Sequence, residues 1–310
     1  MLDEDEVRRL LDPRALLGAL ADGFRALARG EVEAPHRNEI SLGDSFLLGM
    51  PGHRRRGAMA VKVVTVYESN LARGLPSHLA TIGLYDPSTG ACTAFIDGTY
   101  ITALRTSAAA ALAADLLARA DARVLTLVGA GVQGEHHLGT FPLVREFEEI
   151  RIASLAFEDA VRLASRHPRA TAVRDVREAV SDADVVALAT HAAAPVIRPD
   201  WIRPGTHVSS VGYRPPEGEL PRALARDHSL FVETRLAFEP PPTGCAELSG
   251  LNPDSSTELG EVLLGRRPGR TRPEEVTVYK AMGHAIEDIV AAELVVAEAQ
   301  RTGAGQLVRL

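Results

Sequence analysis

The run Gly129-Ala130-Gly131-Val132-Gln133-Gly134 restricts how this chain can fold more than any other feature of its sequence. It follows an apolar stretch at residues 123–128 that reads as a strand, and it opens a helical pattern. In a strand-turn-helix context the three glycines have separate tasks. The first permits the tight turn, the second lets the backbone approach a pyrophosphate, and the third allows close helix-sheet packing. The helix start then offers unpaired N–H groups to phosphate. Outside this context the pattern is weak, and a glycine-rich turn with no ligand is the competing interpretation.

The surrounding pattern predicts the rest of that domain. Short apolar runs at 124–128, 150–154, 185–190, 208–211 and 230–232 alternate with helical stretches, as in a parallel sheet wound with helices. The N-terminal third reads differently. Asp12-Pro13 caps a helix ending near Gly30, and strands follow at 46–50, 58–67 and 79–85. After a turn at 86–90, another strand runs through Ile96, completing an antiparallel sheet. An alanine-rich helix covers about 99–119. After Pro273 a strand-like stretch at 276–278 leads into a helix over 280–301, expected to return to the first domain. The predicted class is α/β: a Rossmann-type doubly wound parallel sheet at 119–275, with a second α+β substrate and dimerisation domain from 1–118 and 276–310. A length of 310 residues suits two domains.

Composition excludes several function classes. The balance of 34 Lys and Arg against 41 Asp and Glu is mildly acidic, so neither a nucleic acid nor an anionic membrane is an expected partner. Cys92 and Cys245 alone cannot build a disulfide framework or a zinc ribbon, and no metal site is expected. The acidic start lacks signal-peptide character, and no apolar run is long enough for a membrane span. A soluble cytoplasmic protein is the expectation.

Two internal cations stand out. Arg105 shares a helix face with Ala108, Ala109 and Leu112, so it must be paired or face a ligand cavity. Pairing with a nearby carboxylate such as Asp97 is the plain structural explanation. Lys62 raises the same question within a strand, where an exposed edge lysine is the ordinary account. Arg37 carries no strong signal by itself, and the basic run at 53–56 reads as a solvated loop. For the cofactor, the end of the second parallel strand offers neither an acid for ribose hydroxyls nor an arginine. The missing acid favours NADP over NAD, with Arg162 or Arg166 near enough to help.

The sequence resembles the ornithine cyclodeaminase/mu-crystallin family through most of its length. The matching segments include Val61-Lys62-Val63-Val64-Thr65, Pro76-Ser77-His78, Ile101-Thr102-Ala103-Leu104-Arg105-Thr106, the glycine fingerprint, Val211-Gly212, and Gly283 with Glu287-Asp288. The resemblance implies a dimer-forming substrate domain joined to a Rossmann domain. It places Arg37, Lys62 and Arg105 around a substrate carboxylate and the nicotinamide, with Lys62 and Arg105 catalytic. Cofactor contacts would come from Ser77, Gly129, Ala130, Gly131, Val132, Gln133, Gly134, Ser154, Thr190, Val211 and Gly212.

One departure limits the transfer. Cyclodeaminases of the family carry an aspartate shortly after the Val-Gly pair, whereas this chain has Tyr213 and then Arg214, the latter aligned with a carboxylate-binding arginine of mu-crystallins. No acid follows until Glu217. The expected activity is therefore NAD(P)H-dependent reduction of a ketimine or imino acid, or the reverse amino-acid dehydrogenation, by a homodimer acting on a small molecule. The alternatives are an ornithine-type cyclodeaminase with catalytic NAD and a mu-crystallin-like protein that binds a small molecule without turning it over.

Overall fold

Two sheets with different burial periods organise the chain. In the computed structural model, which describes residues 1–308, each belongs to its own compact unit. The first unit comprises Met1–Arg105 and the chain from Gly283 onward. The second is Thr106–Met282.

In the first unit, Ser45–Arg54, Met59–Val66, His78–Tyr85 and Cys92–Asp97 pair antiparallel in that order, and Val32–Glu33 and Asn38–Leu42 both pair with Ser45–Arg54. Burial alternates along Met59–Val66, so Ala60, Lys62, Val64 and Val66 point inward. Register carries the alternation across the sheet. Met50, Lys62 and Ile82 lie opposite one another, and all three are buried. The helices Pro13–Ala28 and Ala285–Thr302 pack together in this unit. They meet closely at Gly23, where a Cβ would lie 3.1 Å from Ile286 Cγ1. The expected N-cap Asp12 is in place, its side chain accepting from the N–H of Ala15.

The second unit holds an eight-stranded sheet. Its order is Thr257–Glu258, Ser229–Val232, Thr277–Lys280, His207–Ser210, Val185–Leu188, Val124–Val128, Glu149–Ala153 and Ala170–Ala172, and every pairing is parallel. The Rossmann-type expectation therefore holds, and so does that of an antiparallel sheet in the first unit.

Three expectations need correction. Thr277–Lys280 is an inner strand of the parallel sheet, so the second unit runs to Met282 and takes in residues assigned from sequence to the first domain. Of that assignment, residues 309–310 lie outside the described residues. The last helix starts at Ala285, not at 280, because Lys280 is a strand residue and Gly283 turns the chain with φ of 74°. The basic run is only partly a loop: the strand Ser45–Arg54 extends into it, and Arg54 pairs with Glu293 at 2.6 Å. No helix of the described residues is long and apolar enough to cross a membrane.

Candidate active site

The first unit buries a cluster of charge. Lys62 is only 2% exposed, and its Nζ lies 2.7 Å from Asp288 Oδ2. Arg105 Nη1 meets Glu287 Oε2 at 3.0 Å, and its Nε lies 3.3 Å from Asp288 Oδ1. The two acids are the third and fourth residues of Ala285–Thr302 and are themselves buried. Arg37, half-buried, donates to the carbonyl of Gly283 at 2.5 Å. The pattern of sheet and helix thus brings together the three cations singled out from sequence. Lys62 is not an edge lysine, because its strand is paired on both sides and the side chain is on the inner face. Nor is Asp97 the partner of Arg105: its carboxylate accepts from the N–H of Tyr100 at the start of the helix Thr99–Leu117.

Three cations against two carboxylates leave these five side chains one positive charge in excess, which suits an anion. Burial, set against the attraction of Asp288 and reinforced by Arg105, brings the pKa of Lys62 down to about 8. A lysine so placed carries charge at neutral pH and can release a proton just above it. The counter-ions Glu287 and Asp288 were visible in sequence only as matching letters. Acids in the first turn of a helix are ordinary partners of its dipole, which hid their role.

In the second unit the fingerprint turn fits a dinucleotide. Gly129 has φ of 113°, and a Cβ there would lie 2.3 Å from the carbonyl oxygen of Ala189. A Cβ at Gly134 would lie 2.1 Å from the carbonyl oxygen of Gly129, so both positions exclude a side chain. At Gly131, the N-cap of Val132–Val144, a Cβ would meet nothing within 4 Å. That open side is where a phosphate can approach the helix N-terminus. A cavity of about 200 Å³ adjoins it, lined by Ala130, Gly131 and Val132 together with Glu135, Arg162 and Arg166. Arg162 pairs with Asp159 and Arg166 with Glu135, all four side chains being largely exposed. Ser154 follows the strand Glu149–Ala153, and its chain neighbours Ala153 and Leu155 are neither acidic nor basic.

Other predicted contacts have internal commitments. Thr190 gives both its N–H and its hydroxyl to Glu219, at 2.7 and 2.6 Å. Gly212 N–H and Ser210 Oγ donate to the other oxygen of the same carboxylate. Beside them Lys280 and Glu247 form a fully buried pair at 2.9 Å, and Lys280 also donates to the carbonyl of Gly212. This network, absent from the sequence expectations, anchors the ends of Val185–Leu188 and His207–Ser210. Tyr213 packs against the apolar core of this unit, Arg214 and Glu217 are exposed, and Ser77, in the first unit, lies 3.1 Å from His78 Nδ1. Among the described residues no group of acids, histidines and cysteines could hold a metal ion.

Known proteins match this chain over nearly its whole length. The model of the ornithine cyclodeaminase/mu-crystallin family matches residues 1–303. The chain is 38% identical over 304 residues to ketimine reductase mu-crystallin of Mus musculus, covering 95% of each. Its fold matches Thermococcus litoralis Delta(1)-pyrroline-2-carboxylate reductase in complex with NADH and L-proline with a TM-score of 0.93, at 32% identity and 99% coverage of both chains. It matches an archaeal alanine dehydrogenase dimer with bound NAD at a TM-score of 0.90 and 27% identity, covering 99% of this chain and 98% of that one.

The buried cluster makes a stability prediction. Arg105→Leu leaves two buried carboxylates with too little positive charge and should cost about 3–5 kcal/mol. Adding Glu287→Gln to that variant should recover part of the loss. Urea denaturation of the three proteins measures both effects, and an unchanged midpoint in the single variant would show that the pair carries no stability.

Proposed function

The chain belongs to the ornithine cyclodeaminase/mu-crystallin family, and from that premise we propose that it is an NAD(P)H-dependent oxidoreductase reducing the C=N bond of a ketimine or imino acid carboxylate, or running in reverse as an amino-acid dehydrogenase. The observation that carries the proposal is the buried cluster of Arg37, Lys62 and Arg105 with an excess positive charge, in a chain whose second unit has an intact dinucleotide turn.

Arg105 and Arg37 hold the substrate carboxylate, with Arg214 as a further substrate contact. A planar guanidinium suits two carboxylate oxygens at once, and fixing them orients the imine carbon, so catalysis is largely positioning. The backbone from Gly129 to Gly134 holds the pyrophosphate, and Ser77, Ser154, Thr190, Val211 and Gly212 complete the cofactor contacts, Thr190 without donating a hydrogen bond because both its N–H and its hydroxyl are spent on Glu219. When bound, the reduced nicotinamide supplies the hydride. The imine carbon accepts it and the nitrogen ends with one more proton. Lys62 keeps the imine nitrogen protonated, and a protonated imine is the better hydride acceptor. The cofactor preference follows from Ser154: without an acid there, Arg162 and Arg166 favour a 2′-phosphate.

The direct test is a panel of cyclic and acyclic imino acids followed by nicotinamide absorbance with NADPH and NADH. Turnover of a carboxylate imine, with NADPH at least as effective as NADH, is expected. Ornithine with catalytic NAD should give negligible proline. Proline at a rate comparable to imine reduction would instead establish a cyclodeaminase.

Lys62 makes the pH dependence specific. Its charged form prevails below about 8, so imine reduction should fall as pH rises through that value. Lys62→Arg keeps the charge but cannot release a proton. It should lose most of kcat with little change in substrate affinity, and the fall near pH 8 should disappear.

The protein is also proposed to be a homodimer joined through the outer face of the antiparallel sheet. Ile40, Leu42, Leu79 and Phe95 share that face by register and are 60, 57, 39 and 45% exposed. Sedimentation should give twice the chain mass, and Phe95→Glu should shift it toward one.

A further inference from the structure

His284 stands where the cations converge. It follows Gly283, whose carbonyl accepts from Arg37 and whose Cα rests against Arg105: a Cβ at that glycine would lie 2.6 Å from Arg105 Nη1. The histidine is the N-cap of Ala285–Thr302. Its Nδ1 accepts from the N–H of Ile286 at 3.1 Å, and its own N–H donates to Glu287 Oε1 at 2.6 Å. The residue is 6% exposed.

This cap decides the tautomer. A ring nitrogen that accepts from a backbone N–H carries no proton, so in the neutral ring the proton sits on Nε2. Protonating the ring fully would set Nδ1–H against the Ile286 N–H and add a third cation beside Arg37 and Arg105. Burial and those two cations accordingly bring the pKa down to about 4, against the pull of Asp288. His284 is neutral through the working range. Its Nε2–H finds no acceptor among the described residues, yet it is not sealed off as the Nε2 atoms of His137 and His207 are. A donor held rigidly, nearly buried and left accessible calls for an acceptor from outside the protein.

We infer that His284 Nε2–H is a hydrogen-bond donor to the substrate carboxylate, supplementing Arg37 and Arg105 and making His284 a specificity-determining residue. The inference rests on the proposal that those arginines hold that carboxylate. The chemistry selects the partner. A protonated imine nitrogen presents an N–H and cannot accept, whereas a carboxylate oxygen can, and beside two guanidiniums the bond is charge-assisted. The role is recognition, without proton transfer, because the ring holds its Nε2 proton far more tightly than the substrate could draw on it.

The test separates the donor from the cap. His284→Ser keeps a side-chain oxygen able to accept from Ile286 N–H, but its short side chain cannot reach where Nε2 lies. Pyrrole-2-carboxylate and its uncharged carboxamide serve as planar probes, their binding to wild type and variant measured by titration calorimetry, with a melting curve of each protein. The expected result is a loss of carboxylate affinity of about tenfold or more, little change for the carboxamide, a melting temperature close to wild type, and in turnover a raised KM with kcat nearly kept. Equal carboxylate affinity in the variant overturns the inference, as does an equal loss for both probes. If wild type binds no carboxylate at all, the fault lies with the proposed function itself. His284→Asn, which caps as well as serine, repeats the comparison should the serine variant fail to fold.

Discussion

A lysine and an arginine removed from water must be compensated inside the protein, and much of the first unit is arranged to do it. An unpaired buried cation would cost several kcal/mol, comparable to the stability of a whole domain. Compensation comes from two consecutive acids in the first turn of the last helix, which reach Lys62 and Arg105 from one backbone segment. That dictates the strand register, since a slip of one residue along Met59–Val66 would turn Lys62 to the outer face and leave Asp288 with less positive charge beside it. It also explains Gly283. Its positive φ turns the chain into the helix, and the absence of a Cβ lets the Arg105 guanidinium lie against the backbone. Counted over Arg37, Lys62, Arg105, Glu287 and Asp288 alone, one positive charge remains, which suits the anionic substrate proposed above.

The second unit solves its own problem with backbone where the first uses side chains. The contacts that exclude a Cβ at Gly129 and Gly134 are carbonyl oxygens, which cannot swing aside as a side chain would, so these positions are closed to every other residue. Gly131 is different, open on the side a ligand would approach. The three glycines of one motif are thus needed for distinct reasons, two for packing and one for access.

Those reasons also explain how much could be read in advance. The fingerprint, the five main parallel runs and the antiparallel strands were legible because each rests on a local period or a local turn. Arg105 was legible as buried because its neighbours three, four and seven residues on are apolar. Its counter-ions were not, for Glu287 and Asp288 are more than 180 residues away and look like ordinary helix-start acids. The sheet to which Thr277–Lys280 belongs is not legible, because period and length identify a strand without saying which sheet it joins. Glu219 and Glu247 carry no sequence signal, since a glutamate in a loop between elements is usually solvated, and only the fold shows four donors converging on one of them.

That convergence bears on which chemistry the family scaffold supports here. Cyclodeaminase chemistry needs a carboxylate free to take a proton from the substrate amine. The buried acid that follows Gly212 in this chain is Glu219, and it accepts from Thr190 N–H, Thr190 Oγ1, Ser210 Oγ and Gly212 N–H. Both its oxygens are occupied by these four donors, and a donor left without its acceptor would cost roughly 1–3 kcal/mol. The same bonds join the ends of Val185–Leu188 and His207–Ser210, two inner strands that pair parallel. Glu219 is committed to these four backbone and side-chain donors. Reduction of a C=N bond asks for no base at that position, only a held carboxylate, a charged nitrogen and a hydride, and the residues that can meet the first two demands are those clustered at the start of the last helix.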